Sequence, residues 1–276
     1  MFGRRKIAAI VAEFLGTGIL TLLVLSVQRS QIGVISLFVA IAAGITLALM
    51  YFAVGGLSGG QFNPALTIGL WIARKLTTGR ALVYIVVQML GAWGAYGLYT
   101  YYANNSLQPI GGHFTLRVMI AEGVGTAIFA FGYTAALYQG FSLAVRASVT
   151  GLSYIVGVVA ASSAAFGLLN PALAFGVRAW VGTTYGPSYL YGPVVGALVG
   201  VLLYKYLFAG GNNDAVGAVP VLVPVAASTS LSTTASGEQV QTTTVVARKP
   251  RSNAAVKTTT RKSAVKKTAA KRTAKK

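Results

Sequence analysis

The tripeptide Asn63-Pro64-Ala65 returns once in the chain, as Asn170-Pro171-Ala172. Asn is a favoured helix N-cap, and Pro suits the first helical position because an N–H there would have no intrahelical partner. Each tripeptide therefore predicts a helix start. Apolar or small residues follow each Pro until a cation arrives, Arg74 or Arg178. At about ten residues such a helix reaches roughly 15 Å, half of a hydrocarbon core near 30 Å. Two half-helices entering from opposite faces would meet near the midplane with their N-termini together, which makes a pore. Two unrelated helix caps are the bland alternative. The recurrence of the whole tripeptide in front of a half-length apolar helix argues against it.

A bilayer is what the composition calls for. The chain is 55% hydrophobic and only 10% charged, with a mean hydropathy of +0.67, far from a soluble profile. Apolar runs predict spans at Ile7–Val27, Ile35–Val54, Ala81–Tyr102, Arg117–Leu137, Ala144–Ala164 and Tyr189–Phe208. Arg4, Arg5 and Lys6 before the first run also match the layout of a secretory signal. The run is too long for a signal core, holds Glu13 and is followed by further spans, so it is expected to stay as a membrane helix. With the N-terminus inside, eight connecting cations face the cytoplasm: Arg4, Arg5, Lys6, Arg74, Lys75, Arg80, Arg146 and Lys205. Arg29, Arg117 and Arg178 face outward. That imbalance puts both termini in the cytoplasm of a multi-pass cell-membrane protein.

The halves repeat. Ala12-Glu13-Phe14-Leu15-Gly16-Thr17 is echoed by Ala121-Glu122-Gly123-Val124-Gly125-Thr126, each ahead of its own Asn-Pro-Ala. Three spans per half invert the second copy, an arrangement that transport proteins use. The expected fold is thus all-α: six transmembrane helices plus two re-entrant half-helices in an inverted 3+3 repeat. Glu13 and Glu122 are the only carboxylates before Asp214. An ionisable group inside a span is a functional candidate. Their matched placement favours structural acceptors for the loop N–H groups, which water cannot reach. Gly192, Gly196 and Gly200 at four-residue spacing predict close helix packing. Tyr99, Tyr101, Tyr102, Tyr185, Tyr189 and Tyr191 suit an interfacial belt, and His113 reads as solvated.

Residues 1–209 form the expected channel domain and 210–276 a disordered cytoplasmic tail. Ser228–Thr244 is Ser/Thr-rich, and 12 of the 23 Lys/Arg lie between Arg248 and Lys276. A tail of this kind is solvated and self-repelling. Its natural partners are anionic lipid, at about 1 kcal/mol per cation near the surface, or nucleic acid. Cys is absent, so no thiolate metal site or cysteine nucleophile exists, and no cofactor is expected.

These motifs resemble the aquaporin (major intrinsic protein) family over roughly Ile7–Phe208. The resemblance implies a homotetramer with one pore per subunit, conducting water or small neutral solutes passively. It also implies an outer selectivity filter at Ala43, Val158, Gly167 and Leu173. There this chain departs from the family: Leu173 stands where Arg is usual, Ala43 and Val158 lack bulk, and Gln61 stands where His is common. A wider, more apolar constriction is expected, passing glycerol, urea or ammonia beside water, or closing by dewetting. Arg178 cannot replace the missing Arg, lying about 7.5 Å along and 140° round on a helix. Rival functions are a proton-coupled transporter using Glu13 and Glu122, and a membrane anchor for the basic tail. An enzyme is least favoured, because no metal cluster, nucleophile–base pair or phosphate loop is visible.

Overall fold

The computed structural model describes residues 3–30, 36–104, 114–179, 186–209, 228–233 and 239–244. His113, Tyr185 and the basic run Arg248–Lys276 lie outside the described residues. Among the described residues, six helices are long and apolar enough to cross a membrane. They are α1 (Arg4–Ser30), α2 (Ser36–Met50, continued through a π-helical turn at Tyr51–Gly55 and a short α3 at Gly56–Ser58), α5 (Thr78–Ala103), α6 (Leu116–Tyr138), α7 (Leu143–Ala161) and α9 (Gly186–Leu203, continued through a π turn at Tyr204–Phe208). Between them lie the half-helices α4 (Pro64–Ile72) and α8 (Pro171–Gly176). Regular helix satisfies the backbone where no water can. Thr115 caps α6 through Val118 N–H (3.3 Å), and Ser142 caps α7 through Val145 N–H (3.4 Å).

The burial pattern is the reverse of a soluble protein's. Large aliphatics such as Ile45, Leu82 and Leu152 point outward, while Thr17, Thr21, Thr126, Glu13 and Glu122 are fully buried. Corresponding elements of the two halves make corresponding contacts. α1 packs on α5 as α6 packs on α9, and α1 on α2 as α6 on α7. Each half-helix reaches across: α4 rests on α9, and α8 on α5. The helix axes come close because glycine lines the seams. A Cβ at Gly196 would strike the Gly123 carbonyl, and one at Gly151 would strike that of Gly44 where α2 and α7 join the halves.

The half-helices are unequal. α4 has nine residues and α8 only six, about 14 and 9 Å. The second is shorter than its sequence suggested, because the chain turns left-handed at Arg178 (φ 62°). There Arg178 N–H bonds Phe175 O (3.1 Å) and Ala179 N–H bonds Ala174 O (2.9 Å). The same Schellman closure ends α4, with Arg74 at φ 59° and bonds Arg74 N–H to Trp71 O and Lys75 N–H to Leu70 O.

By its contacts the chain divides into two units, Met1–Val219 and Pro220–Lys276. Of the second unit, residues 228–233 and 239–244 are described. β1 (Ser228–Thr233) and β2 (Gln239–Thr244) form an antiparallel hairpin in the register Ser228↔Thr244 to Thr233↔Gln239. Thr and Val favour extended backbone, and the connection at 234–238 has a length common in hairpins.

Candidate functional site

Asn63 and Asn170 cap their half-helices in the same way. Asn63 Oδ1 accepts from Ala65 N–H (2.8 Å) and Leu66 N–H (3.3 Å); Asn170 Oδ1 accepts from Ala172 N–H (3.0 Å) and Leu173 N–H (3.4 Å). With each side-chain oxygen held by its own helix, each amide nitrogen is turned to the other. Asn63 Nδ2 donates to Leu169 O and Asn170 Nδ2 to Phe62 O, both at 2.9 Å. Asn63, Pro64, Ala65, Asn170, Pro171 and Ala172 are therefore brought together at one buried point. Two helix N-termini converge there, each equivalent to about half a positive charge.

The residues just before each Asn are held from two sides. Phe62 (φ 47°) and Leu169 (φ 52°) are left-handed, a conformation costing a bulky residue about 1–3 kcal/mol. Phe62 N–H donates to Glu13 Oε2 and Leu169 N–H to Glu122 Oε2, both at 2.7 Å. Their neighbours follow, Gln61 N–H to Glu13 Oε1 (3.1 Å) and Leu168 N–H to Glu122 Oε1 (3.0 Å). The repeated Glu-x-x-Gly-Thr motif thereby acquires a physical account. Each Glu takes two loop N–H groups. A Cβ at Gly16 would collide with the Phe62 ring, and one at Gly125 or Gly157 would crowd Leu169. Thr17 and Thr126 hydroxyls donate back to the Glu13 and Glu122 carbonyls (2.8 and 2.7 Å). In the first half Gln88 also joins Glu13 Oε2 (2.8 Å) to the Thr67 hydroxyl (3.0 Å) on α4.

Of the outer-filter candidates, Ala43, Val158 and Leu173 are all 1% exposed and belong to one buried cluster. Gly167 (φ 66°) lies so close to Val158 that a Cβ would meet its Cγ1 and carbonyl at 2.9 Å. Arg178 is turned elsewhere: it donates to the Tyr96 hydroxyl (3.4 Å), with its guanidinium 5.8 Å from that ring's centre. At the C-terminus of α4, Lys205 Nζ donates to Ala73 O (2.9 Å), placing a cation at the negative end of the helix dipole.

Several site residues carry no motif. Tyr133 donates to Gly59 O, Tyr154 to Leu168 O (2.6 Å) and Tyr84 to Ser58 O (3.3 Å). Each takes up a carbonyl of a re-entrant loop. A tyrosine deep in an apolar span needs a partner for its hydroxyl, and that need was the available signal. Tyr51, Tyr133, Phe129 and Tyr154 form a chain of edge-to-face rings with centres 5.1 to 6.4 Å apart.

Comparison with known proteins agrees with this fold. The sequence model of the family described as "Major intrinsic protein" matches residues 4–204. Aquaporin AqpM of Methanothermobacter thermautotrophicus is 32% identical over 191 residues, covering 61% of this chain and 76% of that one. Aquaporin Z of Brucella melitensis is 31% identical over 224 residues, covering 71% and 96%. Among solved structures, the aquaglyceroporin from Plasmodium falciparum shares the fold, with a TM-score of 0.62, 20% identity and coverage of 73% and 96%. A multi-pass all-helical body with two convergent half-helices, matched over most of its length, places this chain in the major intrinsic protein family of passive membrane channels.

Proposed function

We propose that the chain is a passive channel for water and small neutral solutes, glycerol, urea and ammonia among them, which excludes ions where α4 and α8 meet. The observation that carries this is the reciprocal pairing of Asn63 with Leu169 O and Asn170 with Phe62 O. An amide nitrogen has two hydrogens. One from each Asn fixes the opposite loop, and the other remains for an oxygen in transit. Convergent helix N-termini favour a hydrogen-bond acceptor there and oppose a cation. Ala43, Val158, Gly167 and Leu173 serve as an outer filter that discriminates by width rather than by charge. The carboxylates of Glu13 and Glu122 each hold two backbone N–H groups, which speaks against a proton relay.

The protein is expected in the cell membrane as a homotetramer with both termini in the cytoplasm. The basic run from Arg248 is expected on anionic lipid, tested by salt-sensitive binding to phosphatidylserine vesicles. Swelling of proteoliposomes under water, glycerol and urea gradients tests the channel. No permeability above that of empty liposomes for any of the three would overturn it.

A further inference from the structure

The outer filter proposed above holds no Arg, yet the helix that carries Val158 bears a cation near its other end. Arg146 lies in the first turn of α7. Along that helix Arg146, Thr150, Tyr154 and Val158 recur at four-residue spacing, a slowly winding row on one side. Val158 abuts Gly167 and Tyr154 donates to Leu168 O, so the row follows the second re-entrant loop. α7 packs against the π turn that begins at Tyr51. Gln61 Nε2 and the Tyr133 hydroxyl both border Gly59, whose carbonyl Tyr133 holds. The rings of Tyr51 and Tyr133 stand edge to face, 6.1 Å between centres.

Three buried polar atoms in this group have no partner within the protein: Gln61 Oε1, Arg146 Nε and Thr150 Oγ1. Gln61 and Thr150 are fully buried. A buried polar atom left unpaired is costly, so three on neighbouring elements call for a function. Their chemistry is complementary. Nε–H only donates, Oε1 only accepts, and the hydroxyl does both. A neutral molecule with a donor and an acceptor satisfies all three. An anion would suit Arg146 but face the Gln61 oxygen, and a cation would meet the guanidinium. Glu13 and Glu122 are the only carboxylates among the described residues, and both are turned to loop N–H groups.

We propose that Gln61, Arg146 and Thr150, walled by Tyr51 and Tyr133, form a second selectivity filter at the inner mouth. It takes small neutral hydroxyl or amide solutes and carries the fixed positive charge that the outer mouth lacks. The filter rests on the channel function proposed above. A solute that sheds its hydration shell needs replacement bonds from the wall, so glycerol depends on these groups more than water does.

Swelling and K⁺ leak are measured in proteoliposomes of the full chain and of Thr150→Val, Arg146→Lys and Arg146→Ala. Thr150→Val, nearly isosteric, lowers the glycerol-to-water permeability ratio by about two- to tenfold, the range of one net hydrogen bond, without added K⁺ leak. Arg146→Lys keeps the charge but loses Nε, so the ratio falls and K⁺ stays excluded. Arg146→Ala raises K⁺ leak several-fold. Variants that fold, by circular dichroism, and match the unmodified protein in both ratio and leak overturn the filter alone. A protein that conducts none of the solutes brings down the channel and the filter together. Should Arg146→Ala fail to fold, Thr150→Val and Arg146→Lys still decide.

Discussion

In Asn63 and Asn170 one amide hydrogen is committed to the opposite loop, so the side chains hold the fold together as well as serving the proposed pore. Asn170→Asp removes the donor to Phe62 O and sets a negative charge where two helix dipoles sum positive. We expect lower water flux and a cation leak raised about tenfold, read as K⁺ efflux from proteoliposomes. Glu122→Gln separates structure from proton coupling. The amide would present N–H hydrogens to Leu168 or Leu169 N–H, leaving a buried donor unpaired at a cost of about 1–3 kcal/mol. A lower melting temperature in detergent is expected, while the folded fraction still conducts without a pH gradient; uptake abolished at unchanged stability would restore the relay. Glu13 and Glu122 stand out in the sequence because a span tolerates so few charges. Tyr133 and Tyr154 do not, since an aromatic residue in an apolar run reads as core until the fold reveals its carbonyl.

At the scale of elements, the spans were legible because a long apolar helix is the cheapest way through hydrocarbon. Their ends fall within a few residues of the apolar runs, as at α5 and α6. The half-helix starts were equally plain, since Asn then Pro encodes a cap by local chemistry alone. Their ends were not. Arg74 and Arg178 take a left-handed position that usually belongs to Gly, so nothing local announced the closure. The π turns at Tyr51–Gly55 and Tyr204–Phe208 had no signal either, being one extra residue accommodated by neighbours. Leu173, at the third position of α8, is the place to restore an outer charge. In the outer filter proposed above, Leu173→Arg adds both bulk and charge. We expect glycerol and urea permeability to fall at least about tenfold with water flux kept, measured by swelling under each gradient. Equal loss of all three would show a blocked pore instead of a restored filter.

The molecule as a whole depends on an inversion. Because each half contributes three spans, α4 and α8 enter from opposite faces, and only then do their N-termini meet at mid-depth. Matched contacts within the halves and the crossed seating of α4 on α9 and α8 on α5 all require that relation. Sidedness can be tested directly, because the chain has no Cys to remove. Thr77 follows α4 and Ser163 precedes α8, and both side chains are exposed. By the positive-inside count Thr77 is expected on the cytoplasmic face and Ser163 outside. In intact cells a membrane-impermeant maleimide should label Ser163→Cys and leave Thr77→Cys untouched, whereas inside-out vesicles should reverse the pattern. Reversal of both assignments would invert the protein in the membrane but preserve the conduit. Labelling of both from one face would place the two half-helices on the same side, and no continuous path across the bilayer could then exist.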